Sequence, residues 1–133
     1  MFTVADIVSL RILYLATVIG VGGAGAVVLF APRLADRRLF FGAVTIDAYT
    51  RIIGAFWLGL GIVAALGLVH PRALTAVLLV QMVYKAIWLG AGAAPALISG
   101  KRDTGLLLLT VLYILWALAI LLLFPFAAVF GAA

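Results

Sequence analysis

The chain has no cysteine, no glutamate and no asparagine, one glutamine and one histidine, and only 10% of its 133 residues are charged. Without cysteine there is no disulfide, no thiol redox chemistry and no thiolate metal site. One histidine and four scattered aspartates give no metal-ligand spacing, so no metal is expected. Without glutamate, no paired carboxylates stand at mid-depth to act as general acid and base, so no catalytic residue is assigned and an enzyme is not expected. The shortage of charge carries most weight. A soluble domain keeps about a quarter of its residues charged, whereas this chain is 68% hydrophobic with a mean hydropathy of +1.40. It has too little polar surface to face water, so its main solvent is lipid. The net charge of +5 belongs to loop arginines that meet lipid headgroups, and with no polar domain to read a groove, nucleic acid is not a partner.

Spanning a bilayer takes roughly 20 apolar residues per helix. The sequence predicts an all-α, integral membrane four-helix bundle in a single domain, 1–133. Its segments run over about 7–30, 44–69, 73–94 and 104–124. The run Gly20-Val21-Gly22-Gly23-Ala24-Gly25 formally matches a dinucleotide fingerprint, but it lies inside an apolar helix with no strand before it. It is read instead as a packing face, with Ala16, Gly20, Gly23 and Ala24 on segment one and Gly54 and Gly61 on segment two letting helix backbones approach closely. Asp47 and Arg51, four apart in the first turns of segment two, are expected to pair as a structural charge cluster. Gly90 to Pro95 weakens segment three, which either kinks or ends there. Tyr113 and Trp116 share one side of segment four.

Loops 32–43 and 99–103, with the start of segment two, carry Arg33, Arg37, Arg38, Arg51, Lys101 and Arg102, against Arg11 and Arg72 on the other side. Basic residues concentrate on the cytoplasmic side. Both loops are therefore expected in the cytoplasm, and both termini in the periplasm, of a bacterial inner membrane. The residues before Leu10 contain no basic cluster, so the first segment is expected to be a retained helix, not a cleaved signal.

The most informative stretch is Gln81-Met82-Val83-Tyr84-Lys85-Ala86-Ile87-Trp88. Gln81, Tyr84, Lys85 and Trp88 fall at i, i+3, i+4 and i+7, one helix face. Lys85 lies thirteen residues beyond Arg72, about 20 Å along a helix axis. If segment three is continuous, Lys85 is near the midplane. If the helix stops before Pro95, Lys85 lies close to the cytoplasmic side and within reach of Asp47. A charged lysine at the bilayer centre costs at least ~2.5–3.5 kcal/mol, so compensation is expected: Asp47, a neutral lysine, freed carbonyls, an anionic lipid or ligand, or a neighbouring subunit. The two readings of the face are a small polar pocket that contacts a ligand or partner, and a structural lysine that holds the bundle together.

The pattern Leu79-x-Gln81-x-x-Tyr84-Lys85-x-x-Trp88-Leu89, with Asp47…Arg51-x-x-Gly54 before it, resembles small bacterial four-helix membrane proteins of the DoxX-like family over roughly residues 44–125. The resemblance implies a four-helix inner-membrane fold, and carries over neither an activity nor any site residue. Small multidrug-resistance transporters, which use a glutamate in their first helix, fit worse. Two functions follow from the residues. The first is an accessory or structural subunit that packs against a larger membrane protein complex, or forms a homo-oligomer, and binds lipid or an apolar cofactor such as a quinone or pigment. The second is a small oligomeric transporter or channel with Lys85 and Gln81 at the substrate site.

Overall fold

A computed structural model describes residues 1–131. The chain is 79% helical, with no strand among the described residues. Four long helices follow one another up and down: α1 (Val4–Phe30), α2 (Arg51–Val69), α3 (Thr75–Ile98) and α4 (Thr104–Leu123). A short α5 (Phe126–Phe130) follows. All four long helices are long and apolar enough to cross a membrane.

The ends are set by local chemistry. Helix α1 begins at Val4, earlier than its apolar run, because Thr3 and Asp6 form a capping box: the Thr3 backbone N–H donates to Asp6 Oδ2 (2.7 Å) and the Asp6 N–H to Thr3 Oγ1 (3.1 Å). Asp103 caps α4, its Oδ1 accepting from the Leu106 N–H at 2.9 Å. Helix α2 starts at Arg51, not near 44. In front of it Asp47 and Thr50 close a turn, the Asp47 N–H donating to Thr50 Oγ1 and the Thr50 N–H to Asp47 Oδ1, each at 2.8 Å. The expected Asp47–Arg51 pair therefore gives way to a cap, with the carboxylate turned to the Thr50 backbone. That backbone hydrogen bond holds the Asp47 carboxyl below its ordinary pKa.

Helix α3 passes through its predicted break and runs to Ile98. Proline clashes with the carbonyl four residues earlier in a regular helix. Here a wide π-type turn, Leu89–Ala93, precedes it, with the Ala94 N–H donating to the Leu89 carbonyl. The wider turn accommodates the ring, and the helix resumes. Lys85 consequently lies within two residues of the centre of a continuous 24-residue helix.

The connection after α1 is helical over 32–39. Arg33, Arg37 and Arg38 are exposed while Ala35 is fully buried. Phe41 and Gly42 turn the chain with φ of +52° and +73°. Phe40 folds inward and stacks on Trp57, their ring centroids 6.5 Å apart.

Helices α1 and α2 pack closest. A methyl group built on Gly61 would stand 2.5 Å from Gly22 Cα, and one on Gly54 would meet Val28 Cγ1 at 2.6 Å. Gly25 faces the backbone of Gly54 and Leu58. The small-residue contact thus includes Gly54 and Gly61 as expected, but on α1 it is made by Gly22 and Gly25. Gly20 and Gly23 lie off this contact: nothing stands within 4 Å of a methyl on Gly23, and only Trp116 lies that close to one on Gly20. Ala24 packs at the edge of the core and Ala16 is half-buried. Four-residue spacing found a small-residue face, but the buried face follows Leu10, Leu13, Tyr14, Thr17, Val21, Gly22, Gly25 and Val28.

Large side chains are also packed closely at the end that holds the chain termini. Leu10, Leu13, Tyr14, Leu78, Ile120 and Phe124 are almost wholly buried. The Tyr14 ring lies on Gly67, and its hydroxyl donates to the Pro71 carbonyl at 2.8 Å. At the opposite end α1 and α2 stay in contact, while α2, α3 and α4 part.

Candidate functional site

Lys85 sits inside the bundle with 2% of its surface exposed, and Gln81 and Thr17 beside it have none. The Lys85 ammonium donates to Tyr84 Oη at 2.8 Å and to Gln81 Oε1 at 3.2 Å. Gln81 Nε2 donates to Thr17 Oγ1, and Thr17 Oγ1 to the Leu13 carbonyl, both at 2.8 Å. A directed chain of hydrogen bonds thus crosses from α3 to α1. An ammonium has only donors, and it sets the direction of every bond that follows.

Three aromatic rings enclose the same ammonium. The Lys85 Nζ lies 4.4 Å from the Tyr84 ring centroid, 5.2 Å from Tyr113 and 5.3 Å from Trp116. All are within cation–π range. The rings brace one another: Tyr113 meets Tyr84 and Trp88 edge-on at 6.1 and 5.1 Å, and Phe56 meets Tyr84 at 5.4 Å. Trp88 takes its place because position 92 is glycine, where a methyl would come within 3.1 Å of the indole.

Next to the cage, a cleft of about 640 Å³ opens between α2, α3 and α4 at the end carrying the 32–50 connection and the 99–103 turn. Tyr84, Tyr113, Trp88 and Trp57 form its inner wall, and Thr50, Lys101 and Asp103 stand near its mouth. The polar ends of Tyr113 and Trp57 lie close to the Tyr84 hydroxyl. Lys85 itself does not reach the cleft wall. Tyr84 joins the two, with its ring in the cleft wall and its oxygen on the ammonium.

The structure therefore brings Gln81, Tyr84, Lys85 and Trp88 together, as their spacing predicts. Asp47 is not the partner of Lys85, since two uncharged oxygens and three rings take that place. Three contributors escape sequence reasoning in this role. Tyr113 and Trp116 share a face of α4, but nothing in the sequence aims that face at Lys85. Thr17 is a hydroxyl inside an apolar run, where its bond to a carbonyl four residues earlier is the default expectation. The buried Trp116 Nε1 has no hydrogen-bond partner among the described residues. No group of three metal-ligating side chains occurs among them, and His70 lies exposed at the end of α2. No protein-family model, curated protein or solved structure matches the chain.

Proposed function

We propose that this is an accessory protein of the bacterial inner membrane that holds a lipid-like or other apolar molecule in the cleft beside Lys85 and packs against a larger membrane assembly. The observation that carries the proposal is the cleft itself. Small-molecule sites are concave, mostly apolar, about 300–1,000 Å³ in volume, and contain a few convergent polar groups. This cleft has that size, aromatic walls and a phenol set on a buried ammonium. Helix α4 supports the second half of the proposal. Only 6% of its spanning window is buried within the chain, against 28–39% for the other three, which leaves an apolar flank for lipid or a partner helix. Membership of the DoxX-like family and a bound quinone, pigment or lipid belong to the same proposal, as does the orientation with loops 32–43 and 99–103 in the cytoplasm. The test is purification in mild detergent followed by mass spectrometry of extracted lipids and co-purifying proteins. A retained apolar molecule that is lost on Tyr84→Ala replacement is the expected result. A bare monomer from every extraction argues against both halves.

A second reading, an oligomeric transporter with Lys85 and Gln81 at the substrate site, is supported by the hydrogen-bonded line at mid-depth. It predicts that Lys85→Met abolishes flux in vesicles. Unchanged flux removes it.

A further inference from the structure

The hydrogen-bond directions around Lys85 determine which end of a ligand fits the cleft. Three donors belong to the ammonium, and two of them are used, on Gln81 Oε1 and Tyr84 Oη. Tyr84 accepts from the ammonium, so its own proton points elsewhere, toward the neighbouring Tyr113 hydroxyl or the cleft that both residues line. A phenol that accepts from a cation becomes a stronger donor in turn. The Gln81 carboxamide offers the cleft no acceptor, because its oxygen serves Lys85 and its nitrogen serves Thr17. Tyr84, Tyr113, Trp57 and Trp88, each carrying an O–H or N–H donor, thus stand at the inner end of the cleft. The charge is also one-sided, because Asp6, Asp36, Asp47 and Asp103 all lie at helix ends or in the connections. A positive, donor-rich inner wall with apolar sides is complementary to an anionic oxygen on an apolar body.

We propose that the cleft takes a single-chain amphipathic acid, carboxylate first, with the Tyr84 hydroxyl meeting the head and Lys85 supplying the positive field behind it. This rests on the ligand-binding reading above and makes it specific. The competing arrangement places the carboxylate at the mouth, beside Lys101. That side chain is exposed and can stay hydrated, so it gains less from a counterion than Lys85 does.

Two brominated probes separate these arrangements, because bromine quenches tryptophan on contact and Trp57 and Trp88 line the cleft. A long-chain acid brominated next to its carboxylate and one brominated at its tail are titrated against the protein in detergent micelles. A fatty acid merely dissolved in the apolar phase keeps its carboxylate at the interface and sends its tail to mid-depth, so adventitious quenching favours the tail-brominated probe. Carboxylate-first binding reverses the order, with saturable and stronger quenching by the head-brominated acid. Tyr84→Phe keeps the ring in the cage and removes the hydroxyl. It should weaken binding about tenfold, the worth of one charge-assisted hydrogen bond, and abolish the head-bromine preference. A long-chain amine of equal length should not compete. Saturable quenching that is stronger with the tail bromine, or equal competition by the amine, overturns the inference and leaves the cleft as a ligand site. Failure of either acid to quench saturably overturns the ligand-binding reading as well.

Discussion

An ammonium taken out of water loses its hydration, and buried charges are ordinarily compensated by a carboxylate. Lys85 instead uses two neutral oxygens and three ring faces. Hydrogen bonds to a charged group contribute roughly 1.5–3 kcal/mol each, and a desolvated cation–π contact up to about 2. Together they match or exceed the ~2.5–3.5 kcal/mol insertion cost. Lys85 is thus held without a partner chain. Lys85→Met leaves the buried Gln81 Oε1 without its donor, so it should cost about 1–3 kcal/mol by thermal unfolding in detergent while weakening the brominated-acid binding described above. An unchanged midpoint would show that these hydrogen bonds do not hold the bundle together. Thr17 is a parallel case. Thr17→Val removes the acceptor of a fully buried carboxamide N–H, and should cost about 1–3 kcal/mol by thermal or denaturant unfolding, with most of it kept in Thr17→Ser. The face Gln81, Tyr84, Lys85 and Trp88 was legible because helical spacing needs only one segment. Thr17, Tyr113 and Trp116 come from two other helices, and periodicity within one helix does not say which neighbour it meets.

Among the elements, apolar runs located all four helices, while their ends depended on polar side chains. The start of α2 moved because Asp47 and Thr50 satisfy each other's backbone, and α3 outran its proline because a wide turn made room for it. Three measurements follow. Gly61→Ala places a methyl against Gly22 Cα and should destabilise the α1–α2 pair by about 1–3 kcal/mol. Gly23→Ala meets nothing, and its midpoint should be unchanged or raised. If the two behave alike, the packed face of α1 has been misidentified. Asp103→Ala should cost about 0.5–2 kcal/mol through loss of the α4 cap, with hydrogen exchange rising first at Leu106. Asp47 sets a pH dependence. Its folded pKa is depressed by the Thr50 N–H, so its contribution is present above the unfolded carboxylate pKa and fades as pH falls through the lower folded value. Amide protection at Thr50 should persist through neutral and mildly acidic pH and disappear only at strongly acidic pH.

At the scale of the molecule, composition alone predicted membrane-crossing helices, since 10% charge cannot clothe a water-facing surface, and four helices long and apolar enough to cross a membrane are present. The cleft was not legible, because it exists only where three helices part. A reporter active only in the cytoplasm, fused to the C-terminus, should be silent if the six basic residues of the 32–51 and 99–102 regions hold their own side of the bundle in the cytoplasm and leave both termini outside. One further consequence comes from the closed end of the bundle. Tyr14 on Gly67 and Pro71, with Leu78, Ile120 and Phe124 around it, closes the side opposite the cleft. The cleft is therefore closed at that end, and under the proposed membrane reading a molecule within it would exchange with one leaflet only. In vesicles carrying the protein in a single orientation, a quencher confined to the leaflet beside the 99–103 turn should reach Trp88, while the same quencher in the other leaflet should not. Occupancy would then report the composition of one half of the bilayer, a property of a sensor or a store and not of a conduit.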